Sequence, residues 1–253
     1  MNSSAPTTST PGKEKFVRLG HPSYVWRRGQ ERRLNLIRRF VPLEGQRILD
    51  VGCGVGTYMR RLGEFSSKVF GVEVDEEKAA TASAGLPNVF LAAAEGLPFA
   101  PNSFDVILLN EVIEHVVDDA ETVREAVRCT RPGGHVVIFA PNRLYPFETH
   151  GFFLGKRFVF RLCPLVNYTP DVIRNYFCPH VRIYTRRGIR RLFSGLDVEF
   201  VVCSHIFPGF DNIAARRPAL GRFMQWATDR IERTPVRAFG ISHFIVARKC
   251  SAE

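Results

Sequence analysis

The stretch Gln46-Arg47-Ile48-Leu49-Asp50-Val51-Gly52-Cys53-Gly54-Val55-Gly56 restricts the fold more than any other part of the chain. Ile48 to Val51 is a short apolar run of the kind buried strands use, and it breaks into three glycines at alternate positions. Thr57 to Leu62, behind them, reads as a helix. Strand, glycine turn and helix let a backbone approach a ligand closely, because a side chain at those turn positions would fill the space. Residues 68–73 form a second strand, and its terminal Glu73 lies 21 residues after Gly52. A carboxylate at that spacing accepts ribose hydroxyls, so the two signals together predict a nucleoside cofactor. The dinucleotide fingerprint needs a further glycine where this chain has Thr57, which disfavours an NAD-linked oxidoreductase.

Downstream, the pattern predicts a helix over 76–84, strands over 88–91 and 103–109, a helix from 118 to 129 and a strand over 134–140. Strands that alternate with helices imply an α/β protein with a doubly wound parallel sheet. Its ligand crevice then lies at the carboxyl ends of the strands. Upstream, residues 24–41 read as an amphipathic helix broken near Gly29. Residues 1–12, rich in Ser, Thr and Pro and without an apolar core, read as a disordered tail rather than a signal peptide.

Asp50-Val51-Gly52-Cys53-Gly54-Val55-Gly56 resembles motif I of the class I S-adenosylmethionine (SAM) dependent methyltransferases. The resemblance continues in order through Gly71-Val72-Glu73, Leu97-Pro98-Phe99, Ser103-Phe104-Asp105-Val106-Ile107, Glu111-Val112-Ile113-Glu114-His115 and Arg131-Pro132-Gly133-Gly134. Over residues 45–142 it is to the methyltransferase type 11 group. It implies SAM as cofactor and a Rossmann-like, seven-stranded, mostly parallel sheet. A helix over 185–193 and strands over 197–203 and 242–247 would complete that sheet. The domain expected is then a cap helix within 13–43, a SAM-binding core over 44–142, substrate-side insertions at 143–183 and 206–240, and sheet-completing segments at 184–205 and 241–253.

Site residues follow from the same motifs. Gly52, Gly54 and Gly56 are assigned to close backbone approach and Glu73 to the ribose. By resemblance, Asp50 organises the loop and Asn110 lies near the methionine end of the cofactor. The family often has an aspartate for the adenine amino group where this chain has Ala93, leaving that contact to Glu95 or to the backbone of Ala94. An oxygen acceptor requires a base, and His115 and His150 lie after the fourth and fifth strands, at the carboxyl ends of the sheet. Glu111, Glu114 and His115, at i, i+3 and i+4, would share one face of a helical turn. Two carboxylates and an imidazole suit Mg²⁺ or Mn²⁺. The Glu-x-x-Glu-His pattern resembles that of ubiquinone-pathway O-methyltransferases and small-RNA terminal 2′-O-methyltransferases, which implies such an ion, with His150 as a further ligand. The simpler alternative is two carboxylates at a helix N-terminus and a locally bonded histidine.

Charge bears on partners. The chain carries +10 overall, but residues 44–142 are net −7, whereas 13–39 are net +7 and 143–191 net +8. Basic flanks over an acidic core suit an anionic small or lipid-like acceptor, an anionic membrane surface or, less well, RNA. The phenylalanine-rich segment 151–161 favours the lipophilic readings. Six scattered cysteines without a CxxC pair fit a reducing cytoplasm. The expected activity is SAM-dependent O-methylation. A SAM-binding scaffold without catalysis is the rival from another class, and nothing in the sequence sets the oligomeric state.

Overall fold

The computed structural model describes residues 26–251, so the predicted tail and the first part of the cap segment lie outside the described residues. The core elements are β1 (Ile48–Val51), α2 (Thr57–Leu62), β2 (Val69–Glu73), α3 (Glu76–Ser83), β3 (Val89–Leu91), β4 (Phe104–Asn110), α4 (Asp119–Cys129) and β5 (Thr130–Pro141). Ahead of them lies α1 (Arg28–Ile37). After them come α6 (Arg186–Arg191), β10 (Val198–Ile206) and β11 (Ser242–Lys249). The seven-stranded sheet has the order β10-β11-β5-β4-β1-β2-β3. All neighbours are parallel except β11, which runs antiparallel to both β5 and β10. This is the predicted Rossmann-like arrangement.

Both faces of the sheet are covered, which is why its central strands are nearly continuous apolar runs. Leu49, Val51, Ile107, Leu109, Val136 and Ile138 face one way and pack with Val123, Ala126 and Val127 of α4 and Ile189 of α6. Ile48, Val106, Leu108, Val137 and Phe139 face the other way, against Leu34 and Ile37 of α1 and Tyr58, Met59 and Leu62 of α2. The register sets Asp50 beside Gly71 and Leu108, so the carboxyl ends of β1, β2 and β4 open on one edge.

Three predictions need correction. The sequence places the first helix over 24–41, but α1 begins at Arg28 and runs through Gly29 without a break. Its start is set from a distance: the Asp211 carboxylate accepts the amides of Arg28 and Gly29 (3.0 and 3.1 Å), an anion at the positive end of the helix. Residues 111–115 form a turn instead of a helical turn, and Glu111 has φ +58°. The insertions also carry structure that periodicity did not reveal. Within 143–183, β6 (Phe147–Glu148) pairs with β9 (Cys163–Pro164), β7 (Phe152–Leu154) pairs with β8 (Arg157–Val159), and α5 (Asp171–Phe177) follows. Within 206–240 lie α7 (Asp211–Arg216) and α8 (Pro218–Ile231).

Candidate active site

The glycine turn after β1 holds all three glycines at positive φ, +68° at Gly52, +57° at Gly54 and +80° at Gly56. Their surroundings separate their roles. A Cβ on Gly52 would lie 2.6 Å from Val112 Cγ2, and one on Gly56 2.2 Å from Leu86 Cδ1, whereas one on Gly54 would meet nothing within 4 Å. A Cβ at Gly52 or Gly56 would therefore crowd side chains of the fold, and of the three it is Gly54 that faces open space. Its amide donates to Glu73 Oε2 (2.8 Å), while Glu73 Oε1 accepts from the amides of Val74 and Asp75 (both 3.0 Å). Oε1 is thereby filled, and Oε2 keeps lone-pair capacity for a further donor. Asp50 is buried at the end of β1, and burial together with the Glu73 charge raises its carboxyl to about 8.

Ala94 is buried in the core beside Leu97. Glu95 accepts the amides of Val117 and Asp118 (2.7 and 3.2 Å), tying the loop after β3 to the loop after β4. Asn110 ends β4, and its Oδ1 accepts from Arg33 Nη1 (2.6 Å).

Arg33, which sequence reasoning missed, also holds Glu111. Its Nη2 donates to Glu111 Oε1 (2.6 Å) and to Ser242 Oγ (2.9 Å), and Ser242 Oγ donates to the same carboxylate (2.6 Å). Burial alone would raise the Glu111 carboxyl, but Arg33 and then Ser242 bring it below the usual range. The signal was present: Arg33 and Ile37 stand at i and i+4, so an arginine occupies the inward face of α1.

The predicted face of Glu111, Glu114 and His115 is therefore not the one formed. Glu111 turns to Arg33, and the groups that converge are Glu114, His115 and His150, each offering a ligand atom within 4.8 Å of the others. Glu114 is buried, and neither of its carboxyl oxygens has a hydrogen-bond partner among the described residues. Burial, and then the neighbouring Glu111 charge, push its carboxyl well above the ordinary value. Burial followed by the His150 charge lowers the His115 imidazole.

His150 is oriented by a second missed residue. Glu148 Oε1 accepts from His150 Nδ1 (2.8 Å) and from the His150 amide (2.9 Å), and Arg174 Nη2 donates to Glu148 Oε2 (2.8 Å) in a fully buried pair. Burial opposes ionisation of Glu148, but the His150 bonds and the Arg174 charge prevail and bring it down to about 2. With Nδ1–H committed to Glu148, the free lone pair of His150 is on Nε2. A signal for Glu148 exists as well, since it is one of two acids in the basic segment 143–191.

Comparison with known proteins bears on these features. Residues 49–138 match the methyltransferase domain of the type 11 family model. A ubiquinone biosynthesis O-methyltransferase from Ralstonia nicotianae is 34% identical, over 53% of this chain and 62% of that protein. Its counterpart from Rhizobium johnstonii is 35% identical, over 40% of this chain and 44% of that protein. The chain thus spans less than two thirds of the curated relatives it matches. A crystal structure of an S-adenosylmethionine dependent methyltransferase from Mesorhizobium loti superposes with a TM-score of 0.57 at 21% identity, covering 85% of this chain and 96% of that one.

Proposed function

We propose, from the premise that residues 49–138 are a class I SAM-dependent methyltransferase domain, that this chain transfers the methyl group of SAM to a hydroxyl of a small or lipid-like, anionic acceptor. The observation that carries the reading is the placing of two devices on one sheet edge: the Gly54–Glu73 cradle, and the Glu114–His115–His150 cluster. The cradle fits a nucleoside, because Gly54 leaves its side open and Glu73 is buried with Oε2 still able to accept. Oxygen as acceptor atom follows the name of the curated relatives and the presence of an oriented imidazole.

Bound SAM supplies a methyl group already activated by its sulfonium. The protein's own work is to hold, orient and deprotonate. Gly54 and Glu73 fix the ribose, and Asp50 adds a buried carboxyl beside them. Arg33 fixes Asn110 and Glu111 so that the wall of the crevice cannot drift. Arg174 holds Glu148, Glu148 holds His150 Nδ1–H, and His150 Nε2 takes the acceptor proton.

A divalent ion, Mg²⁺ or Mn²⁺, fits the same cluster, and the orphaned buried carboxyl of Glu114 supports it. Glu114, His115 and His150 would hold the ion, with His150 Nε2 then a ligand in place of a base, and the ion would supply positive charge beside an acceptor oxygen and so lower its pKa. A peripheral contact with anionic membrane belongs to the same proposal. Phe158, Phe160 and Leu162 are exposed beside Lys156, Arg157 and Arg161, although among the described residues no helix is long and apolar enough to cross a membrane. The test is methyl transfer from labelled SAM to a panel of phenols, lipid-like hydroxyls and RNA, with and without chelator. Label in an amphipathic anionic hydroxyl compound, lost in Glu73→Ala, supports the reading. Label in RNA alone would replace it.

A further inference from the structure

On the far side of β11 from the crevice lies a cleft of about 450 Å³ that none of the residues assigned above lines. Its walls are Arg186 at the start of α6, Cys203 and His205 near the carboxyl end of β10, and the stretch from Arg233 to Ala238 after α8. Three arginines, Arg186, Arg233 and Arg237, line this space, and among the described residues no acidic residue does. Among the described residues none of the three has an ion pair or a side-chain hydrogen bond, while Arg28, Arg32, Arg33, Arg128, Arg143 and Arg174 are each matched to a carboxylate. The His205 ring lies tilted against His243, with centroids 4.7 Å apart, and hydrogen-bonds to no described residue.

We propose that this cleft is a binding site for a small phosphorylated molecule, with its phosphate held by Arg186, Arg233 and Arg237 and with His205 as a further hydrogen-bonding partner. Gathering three cations without counter-charge costs self-repulsion, which a dianion relieves. Guanidinium forks match phosphate oxygens two at a time, so three of them favour phosphate over a monoanionic carboxylate. The volume lies in the range of sites that hold whole small molecules and exceeds what a lone phosphate needs. His205 meets the anion as a neutral imidazole, because burial, then His243, Arg186 and Arg237, bring it down to about 4. The site is independent of the methyl-transfer reading, since none of the residues assigned to that reading lines it.

The experiment is calorimetric titration of the full chain with inorganic phosphate and with glycerol 3-phosphate at low ionic strength, against chloride at matched ionic strength. The His205 imidazole signals are followed by NMR in parallel. The expected result is saturable one-to-one binding of both probes, tighter for glycerol 3-phosphate, with His205 shifting at the same midpoint. Affinity should fall at least about ten-fold in Arg186→Gln/Arg237→Gln, one lost charge-assisted contact being worth that much. The single variant Arg237→Glu, which reverses one exposed charge, should abolish binding and tests the site if the double variant does not fold. A short RNA is titrated beside these probes, and heats no larger than those of chloride, unchanged affinity in Arg237→Glu, or binding of the RNA but not of glycerol 3-phosphate would each overturn the proposal.

Discussion

Asp50 carries a proton that the cofactor should displace. Its carboxyl is raised from 3.8 to about 8 by burial and by Glu73. A raised carboxyl stabilises the fold fully below its unfolded pKa, and that stability is lost as pH rises through about 8. The SAM sulfonium and amino group bring positive charge to this region, which favours the ionised form. Binding near neutral pH should therefore release a proton, visible as a dependence of the calorimetric enthalpy on the ionisation heat of the buffer. In Asp50→Asn that dependence should vanish, and the unliganded variant should unfold at a higher temperature than the parent at pH 8. At the same scale, His150→Ala should lower the turnover number by about 100-fold or more, the usual contribution of a general base. Glu148→Gln should lower it less and alter the pH profile, since the imidazole remains but loses its orientation. The glycine turn and Glu73 were legible in the sequence because backbone geometry and spacing leave few alternatives. The partner of Glu111 was not, because Arg33 meets it from 78 positions away. Glu148, only two residues before His150, was hidden because its own burial and orientation depend on Arg174, 26 positions on.

The inserted element between β5 and α6 rests on one buried ion pair and a small cluster of its own. Val166, Cys178 and Val181 form that cluster, apart from the main core, with Phe152, Cys163 and Phe177 against it. Removing one partner of a buried pair leaves the other uncompensated, at a cost of about 3–5 kcal/mol. Arg174→Ala should accordingly loosen the insertion, read as faster amide exchange in 147–181 while exchange in β1, β4 and β5 is unchanged. Glu148 is lowered from 4.5 to about 2, so its contribution is complete above 4.5 and is lost as pH falls towards 2. The same region should lose protection first on acidification. Sequence patterning identified the insertion as aromatic and basic but not its strands, which are two or three residues long and too short for a period to show. The exposed side chains of Phe158, Phe160 and Leu162 predict flotation with acidic liposomes at low salt. Replacing all three with serine should abolish that flotation without lowering SAM affinity.

Across the whole molecule, the sheet brings sequence-distant segments to one edge. β1 and β2 supply the Gly54–Glu73 pair proposed as the cofactor cradle, the segments after β4 and β5 supply the imidazoles and carboxylates, and α1 and β11 supply Arg33 and Ser242. The net charge of the flanks is also partly spent inside the fold. Arg32 pairs with Glu232 (2.7 Å), Arg28 with Asp229 (3.2 Å) and Arg33 with Glu111 (2.6 Å), so α1 is clamped to α8 and the loop after β4 rather than presenting a free basic face. The sequence separated acidic core from basic flanks correctly, but composition cannot say which charges meet across the fold. Titration of the full chain with SAM, beside Glu73→Ala, tests the central claim most directly. Saturable one-to-one binding with a micromolar dissociation constant, weakened roughly 30-fold in Glu73→Ala by loss of the ribose contacts, is the predicted result. No binding at millimolar SAM, or equal binding by Glu73→Ala, would contradict it.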